Sequence, residues 1–174
     1  MAMHLVIDGY NLIRQSAMLS AQEELSLQLG RDALLERLRQ YKRLRSHRIT
    51  VVFDAANKPN VAEERSQHKG IRIIYSGQGE TADTVIKRIC RNEGEKVVLV
   101  TTDRELASYA EGCGSVAIDS QDFEARMEMA LYVDVKGVEE EDEEERWHPD
   151  KGTRKKGPAK RLSKNTSLSL GRVA

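Results

Sequence analysis

The sequence predicts an α/β fold, with helices packed on a mostly parallel central sheet of about five strands. Three observations carry that reading. Five short apolar runs rich in β-branched residues each end in a turn or a polar residue. Segments of helical periodicity separate them. The runs are apolar almost throughout, as strands covered on both faces are.

The strands are predicted over 4–7, 49–53, 71–75, 97–101 and 115–118. A long helical pattern occupies 23–45, where Leu25, Leu29, Leu34, Leu38, Tyr41 and Leu44 recur at three- to five-residue steps. Leu27 and Leu35 widen that stripe, and Gly30 weakens the helix locally. A second helix is predicted over 81–92, with Ala82, Val85, Ile86, Ile89 and Cys90 on one face and Gly94 as its stop. Shorter helices follow over 104–111 and 121–131. Strands alternating with helices imply right-handed crossovers and parallel pairing. The stretch 55–70 is more polar and is expected to contain a mobile loop.

The 174 residues suffice for one domain, taken as 1–138, and a charged tail over 139–174. The formal net charge of zero hides an asymmetry. Residues 139–145 are seven consecutive acids, whereas 146–174 hold nine Lys/Arg against one acid, a net charge of +8. So polar a segment buries too little to offset its ordering entropy, and a disordered or partner-ordered tail is expected. Its Arg154, Lys155, Lys156, Lys160 and Arg161 suit a polyanion such as RNA; the plainer alternative is a solvated tail.

No run approaches the length of a membrane span, and no basic region precedes an apolar stretch at the N-terminus. Cys90 and Cys113 are too few for a disulfide scaffold and read as structural thiols in a reducing compartment. A cytoplasmic location is therefore expected. The four histidines show no metal-ligand spacing, so zinc is not indicated.

The acids are informative by position. Asp8 follows the first predicted strand, Asp54 the second and Asp103 the fourth. The third leads through Gly77-Gln78-Gly79 to Glu80, with Asp83 in the next helix's first turn. In a parallel sheet these places share the carboxyl edge, where ligands bind at the switch point. Clustered carboxylates repel, and a divalent cation is the usual resolution. Oxygen ligands without His or Cys point to Mg²⁺ or Mn²⁺, ions suited to phosphate chemistry. No P-loop is present, which leaves a phosphodiester as the natural substrate.

Each residue also has a plainer reading. Asp8-Gly9 serves equally as a turn, Asp54 as a turn cap, Asp83 as a helical partner of Lys87, Asp103 as an N-cap and Glu80 as a loop acid. Asn11, three residues past Asp8, reads either as a group orienting water or phosphate or as a turn cap. Thr101 and Thr102 place hydroxyls beside Asp103, though strand propensity and capping account for Thr101. Jointly, the plain readings demand several coincidences at one edge.

The segments Leu5-Val6-Ile7-Asp8-Gly9-Tyr10-Asn11-Leu12-Ile13, Val52-Phe53-Asp54, Gly79-Glu80-Thr81-Ala82-Asp83 and Val100-Thr101-Thr102-Asp103-Arg104-Glu105 resemble the NYN domain family. Within it they look most like the bacterial YacP-like branch, relatives of the PIN-domain nucleases. The resemblance spans roughly 4–135, and 156–163 also looks like that branch. It implies a PIN-like three-layer sandwich, metal-dependent endonucleolytic cleavage of RNA leaving 5′-phosphate and 3′-hydroxyl ends, and mRNA and the ribosome as partners. By motif position it implies Asp8, Glu80, Asp83 and Asp103 as the acidic set holding Mg²⁺ or Mn²⁺, Asn11 as a polar companion and Asp54 as a less firmly matched acid.

Arg14, Lys58, Lys87 and Arg104 are candidates to touch RNA phosphates, against an ordinary solvated charge at each. The rival function is a non-catalytic RNA- or ribosome-binding adaptor on the same scaffold, needing no metal.

Overall fold

The computed structural model describes residues 3–55 and 64–146. Six strands form one sheet: β1 (His4–Asp8), β2 (Arg48–Phe53), β3 (Glu64–His68), β4 (Ile71–Tyr75), β5 (Val97–Val100) and β6 (Val116–Ile118). The helices are α1 (Gly9–Gln15), α2 (Ala17–Leu25), α3 (Leu27–Leu44), α4 (Ala82–Glu93), α5 (Arg104–Gly112) and α6 (Ser120–Arg146). The strand order is β3-β4-β2-β1-β5-β6. Every pair is parallel except β3 with β4.

The expected sheet is thus present with one strand more. The polar stretch 55–70, to which no strand was assigned, contains β3, an edge strand whose side chains are solvent-exposed over 65–68. Backbone pairing to β4, with His68 opposite Ile71, stabilises it without an apolar face. Lys69 and Gly70 both adopt positive φ (49° and 85°), which closes the hairpin with the two-residue turn such twisted ladders favour.

The helical stretch from 23 to 45 is two helices rather than one. The Ser26 side chain accepts from the Leu29 amide and starts α3, as Ser16 does for α2 through Leu19. Leu25, Leu27 and Leu29, read as part of the buried stripe, are exposed. Leu34, Leu35, Leu38 and Tyr41 form α3's buried face instead. The segment 9–15, assigned no element from sequence, is α1.

Alternate strand residues face opposite layers. Val6, Val52, Ile74 and Leu99 pack with Val85, Ile86 and Cys90 of α4 and with Leu106 and Ala110 of α5. On the other face, Gly9 at the start of α1 lies so close to the Phe53 ring and Val51 that a Cβ there would collide with the ring. The Tyr41 ring of α3 meets Phe123 of α6 edge-on, centroids 5.6 Å apart. Two layers of helices thus enclose the sheet. The thiols are free, Cys90 buried and Cys113 half-buried.

The chain divides into two compact units, Met1–Ala125 and Arg126–Ala174. The first holds the whole sheet. In the second, α6 continues through the acidic run 139–145, assigned to the tail from sequence, as far as Arg146. Residues 147–174, with the tail cations Arg154, Lys155, Lys156, Lys160 and Arg161, lie outside the described residues, as does Lys58. Among the described residues no helix is long and apolar enough to cross a membrane.

Candidate active site

Parallel pairing sends the chain off β1, β2, β4 and β5 at one edge. From β1 it turns through α1–α3 to β2; from β4 it crosses by α4 to β5, on β1's other side. That reversal makes the carboxyl ends of β1 and β5 the switch point. A cleft of about 580 Å³ opens at this edge, lined in part by Asp8, Asn11, Asp54 and Asp83.

Asp8 ends β1, and the Ile7–Val100 pairing sets Thr101 beside it. The Thr101 hydroxyl donates to Asp8 Oδ2 at 3.1 Å and accepts from the Asp103 amide at 3.1 Å. Thr101 is buried, so strand propensity and capping understate it: it couples Asp8 to the turn that presents Asp103. The Asp103 carboxylate accepts from the Leu106 amide at 3.1 Å, so the capping role forms as well.

Burial pushes the Asp8 carboxyl up from the usual 3.8 to about 6. The Thr101 hydrogen bond opposes that rise, and the charges of Asp83 and Asp103 add to it. Asp83 is also raised, by burial first and then by Asp103, with Glu105 and Asp54 adding and Lys87 opposing. The charge of Asp103 thus bears on both Asp8 and Asp83, and that of Asp83 on Asp8.

The other candidates are placed differently. Glu80 takes Arg88 in an ion pair at 2.6 Å and is not among the cleft-lining residues. Asp103 does not line the cleft either. The Asp54 carboxylate accepts from Ser76 Oγ at 3.3 Å, and the same hydroxyl accepts from the Ala55 amide at 3.0 Å, tying the ends of β2 and β4. Asn11 is a cross-brace. Its Nδ2 donates to Thr102 Oγ1 at 2.7 Å, and its Oδ1 accepts from the Thr102 amide at 2.9 Å and from Ser120 Oγ at 2.7 Å. It holds α1, the loop after β5 and the start of α6 together at the cleft.

Arg14, whose side chain is largely exposed, lines the cleft with its guanidinium 5.5 Å from the Tyr10 ring centroid. Lys87 lies over the Tyr109 ring at 5.3 Å, and Arg104 is exposed at the start of α5. Ser76, Ser120 and Arg31 were not singled out from sequence. A lone Ser or Arg carries no periodic signal, and the partners Tyr10 of Arg31, Asp54 of Ser76 and Asn11 of Ser120 lie 21 to 109 positions away.

Among the described residues no group of three His, Cys, Asp or Glu side chains is arranged to cage an ion. The donor chemistry nevertheless fits a hard divalent cation. The donors are all carboxylate oxygens, and the Asp8 carboxyl is raised by burial first, with the charges of Asp83 and Asp103 adding to it. Mg²⁺ in particular is commonly held by one or two carboxylates, with water and phosphate oxygens completing its shell.

The pattern of the YacP-like NYN domain matches residues 5–172. The "Uncharacterized protein YacP" of Bacillus subtilis is 28% identical over 102 residues, covering 57% of this chain and 59% of that protein. The fold is similar to the crystal structure of a mutant of Rae1 (YacP) from Bacillus subtilis, with a TM-score of 0.69 at 19% identity over 98% of this chain and 92% of that one. A second Rae1 (YacP) structure from the same organism gives 0.65 at 23% identity, covering 81% and 82%. The α/β sandwich is therefore the PIN-like fold, and a match over nearly the whole length decides the lineage: this chain belongs to the YacP-like NYN domain family, a family of PIN-like nucleases.

Proposed function

We propose that the chain is an endoribonuclease dependent on Mg²⁺ or Mn²⁺, acting in the cytoplasm on mRNA in association with the ribosome. One observation carries the reading: a half-buried carboxylate, Asp8, ends a central parallel strand within reach of the charges of Asp83 and Asp103, in an open cleft. Such crowding costs stability unless a cation or a proton offsets it.

Asp8 and Asp83, which both line the cleft, are the residues to hold the ion, and Asp103 adds negative potential from the adjacent turn. Bound there, a divalent ion neutralises phosphate charge and acidifies water. Thr101 fixes the rotation of the Asp8 carboxylate through Oδ2, and Asn11 holds the loops that frame it. Glu80, paired with Arg88, supports the entry to α4 rather than the ion. The overall reaction adds water across the phosphodiester. The family supports a nuclease activity; the RNA substrate, the metal and the ribosome are this proposal's own.

The test is Asp83→Asn assayed on end-labelled RNA with Mn²⁺. Loss of cleavage with fold and RNA affinity retained supports the enzyme. Cleavage at the wild-type rate removes the metal-site assignment. No cleavage by the wild-type chain on naked or ribosome-bound RNA, with binding intact, selects the adaptor instead.

A further inference from the structure

The carboxylates account for only part of the cleft. Tyr10, Arg14, Arg31 and Tyr75 line it too, and the function proposed above assigns nothing to Arg31. An acidic cleft repels a polyanion, so a strand entering it needs a cation of the protein as well as any metal.

Arg31 is held for that purpose. Its Nη1 donates to the Tyr10 hydroxyl at 2.8 Å and its Nη2 to Gln28 Oε1 at 2.7 Å. Its guanidinium carbon lies 5.8 Å from the Tyr75 ring centroid, and that ring stacks on the fully buried Phe53 at 5.6 Å and 27°. The side chain is thereby oriented from the core outward.

Its partners are all neutral. Among the described residues no carboxylate pairs with Arg31, and its buried Nε has no hydrogen-bond partner. The other arginine that lines the cleft, Arg14, is largely exposed and has a carboxylate, Glu23, at 3.6 Å. An arginine fixed by neutral acceptors keeps its full charge and gives up little further entropy on binding. The planar fork suits a phosphate.

The geometry points to Arg31, carried by Tyr10 and Tyr75, as the phosphate clamp of this cleft, gripping a phosphodiester of the RNA strand beside the one to be cut. The inference rests on the nuclease reading of the same site for its substrate, yet it is tested separately, by binding without metal.

Fluorescence anisotropy of a short single-stranded RNA, in EDTA and across several salt concentrations, provides the test. Arg31→Gln should bind about tenfold more weakly, as loss of a charged hydrogen-bonding group implies. Its salt slope should be shallower by about 0.7, one phosphate contact on a single strand. Arg31→Lys should keep the slope but lose affinity, because the charge stays and the fork is gone. Tyr10→Phe should fall between wild type and Arg31→Gln. The Mn²⁺-induced thermal shift of Arg31→Gln should equal that of wild type.

Wild-type affinity and slope in Arg31→Gln would overturn the clamp. If that variant melts early, wild-type binding by both Arg31→Lys and Tyr10→Phe overturns it instead. Weakened binding by Arg31→Gln alongside a wild-type chain that never cleaves RNA upholds the clamp and sinks the nuclease. Cleavage by wild type with binding untouched in Arg31→Gln does the reverse.

Discussion

Thr101, the residue after β5, donates its hydroxyl proton to Asp8 at the end of β1 at 3.1 Å, while the same oxygen accepts from the Asp103 amide. One buried hydroxyl thus links two acids 95 positions apart in sequence. Thr101→Val keeps the volume but leaves Asp8 without that donor. A loss of about 1–3 kcal/mol is expected at neutral pH, the cost of removing a hydrogen bond to a charged group. Thr101→Ser should recover most of it. Urea unfolding of the three proteins measures this directly.

The raised Asp8 carboxyl makes stability depend on pH in a stated direction. In the native state the group titrates near 6, above its usual 3.8, so between those values the native chain holds more protons than the unfolded one. Its contribution to stability is therefore fully present below about 3.8 and is lost as pH rises through about 6. Asp8→Asn in EDTA should melt higher than wild type at pH 7.5, by on the order of 1–3 kcal/mol, and the advantage should vanish near pH 4. Adding Mg²⁺ or Mn²⁺ at pH 7.5 should raise the melting temperature of wild type and leave Asp8→Asn unmoved. A melting difference that does not change with pH would refute the assignment.

Gly9 allows α1 to start against the Phe53 ring. Gly9→Ala forces that buried ring or the helix to shift, so a destabilisation of about 1–3 kcal/mol is expected from overpacking. Because Phe53 supports both Tyr10 and Tyr75, the near-ultraviolet circular dichroism of the aromatic group should change as well. An unaltered spectrum and melting curve would contradict the close approach.

The basic tail is expected to contribute RNA affinity by charge alone. Removing residues 147–174 should weaken RNA binding at low salt and flatten its salt dependence, with the melting temperature unchanged. Filter binding over a salt series tests this, and an identical slope with and without the tail would count against it.

The sequence by itself determined which segments become strands and helices wherever burial is periodic. β1, β2, β4, β5, β6, α4 and α5 were legible because β-branched runs and helical stripes record local burial, and parallel alternation then implied that Asp8, Asp54, Glu80, Asp83 and Asp103 share one edge. The tertiary structure decided the rest. β3 forms through backbone pairing of polar residues, and Ser26 divides one apparent helix into two by a single capping bond; neither leaves an apolar period. The same holds within the site. Thr101 turns to Asp8, Glu80 is drawn to Arg88, and Arg31 is carried by two tyrosines. Those are pairings between side chains distant in sequence, and a hydrogen bond or ion pair is selected by three-dimensional proximity and orientation, which hydrophobic periodicity does not encode.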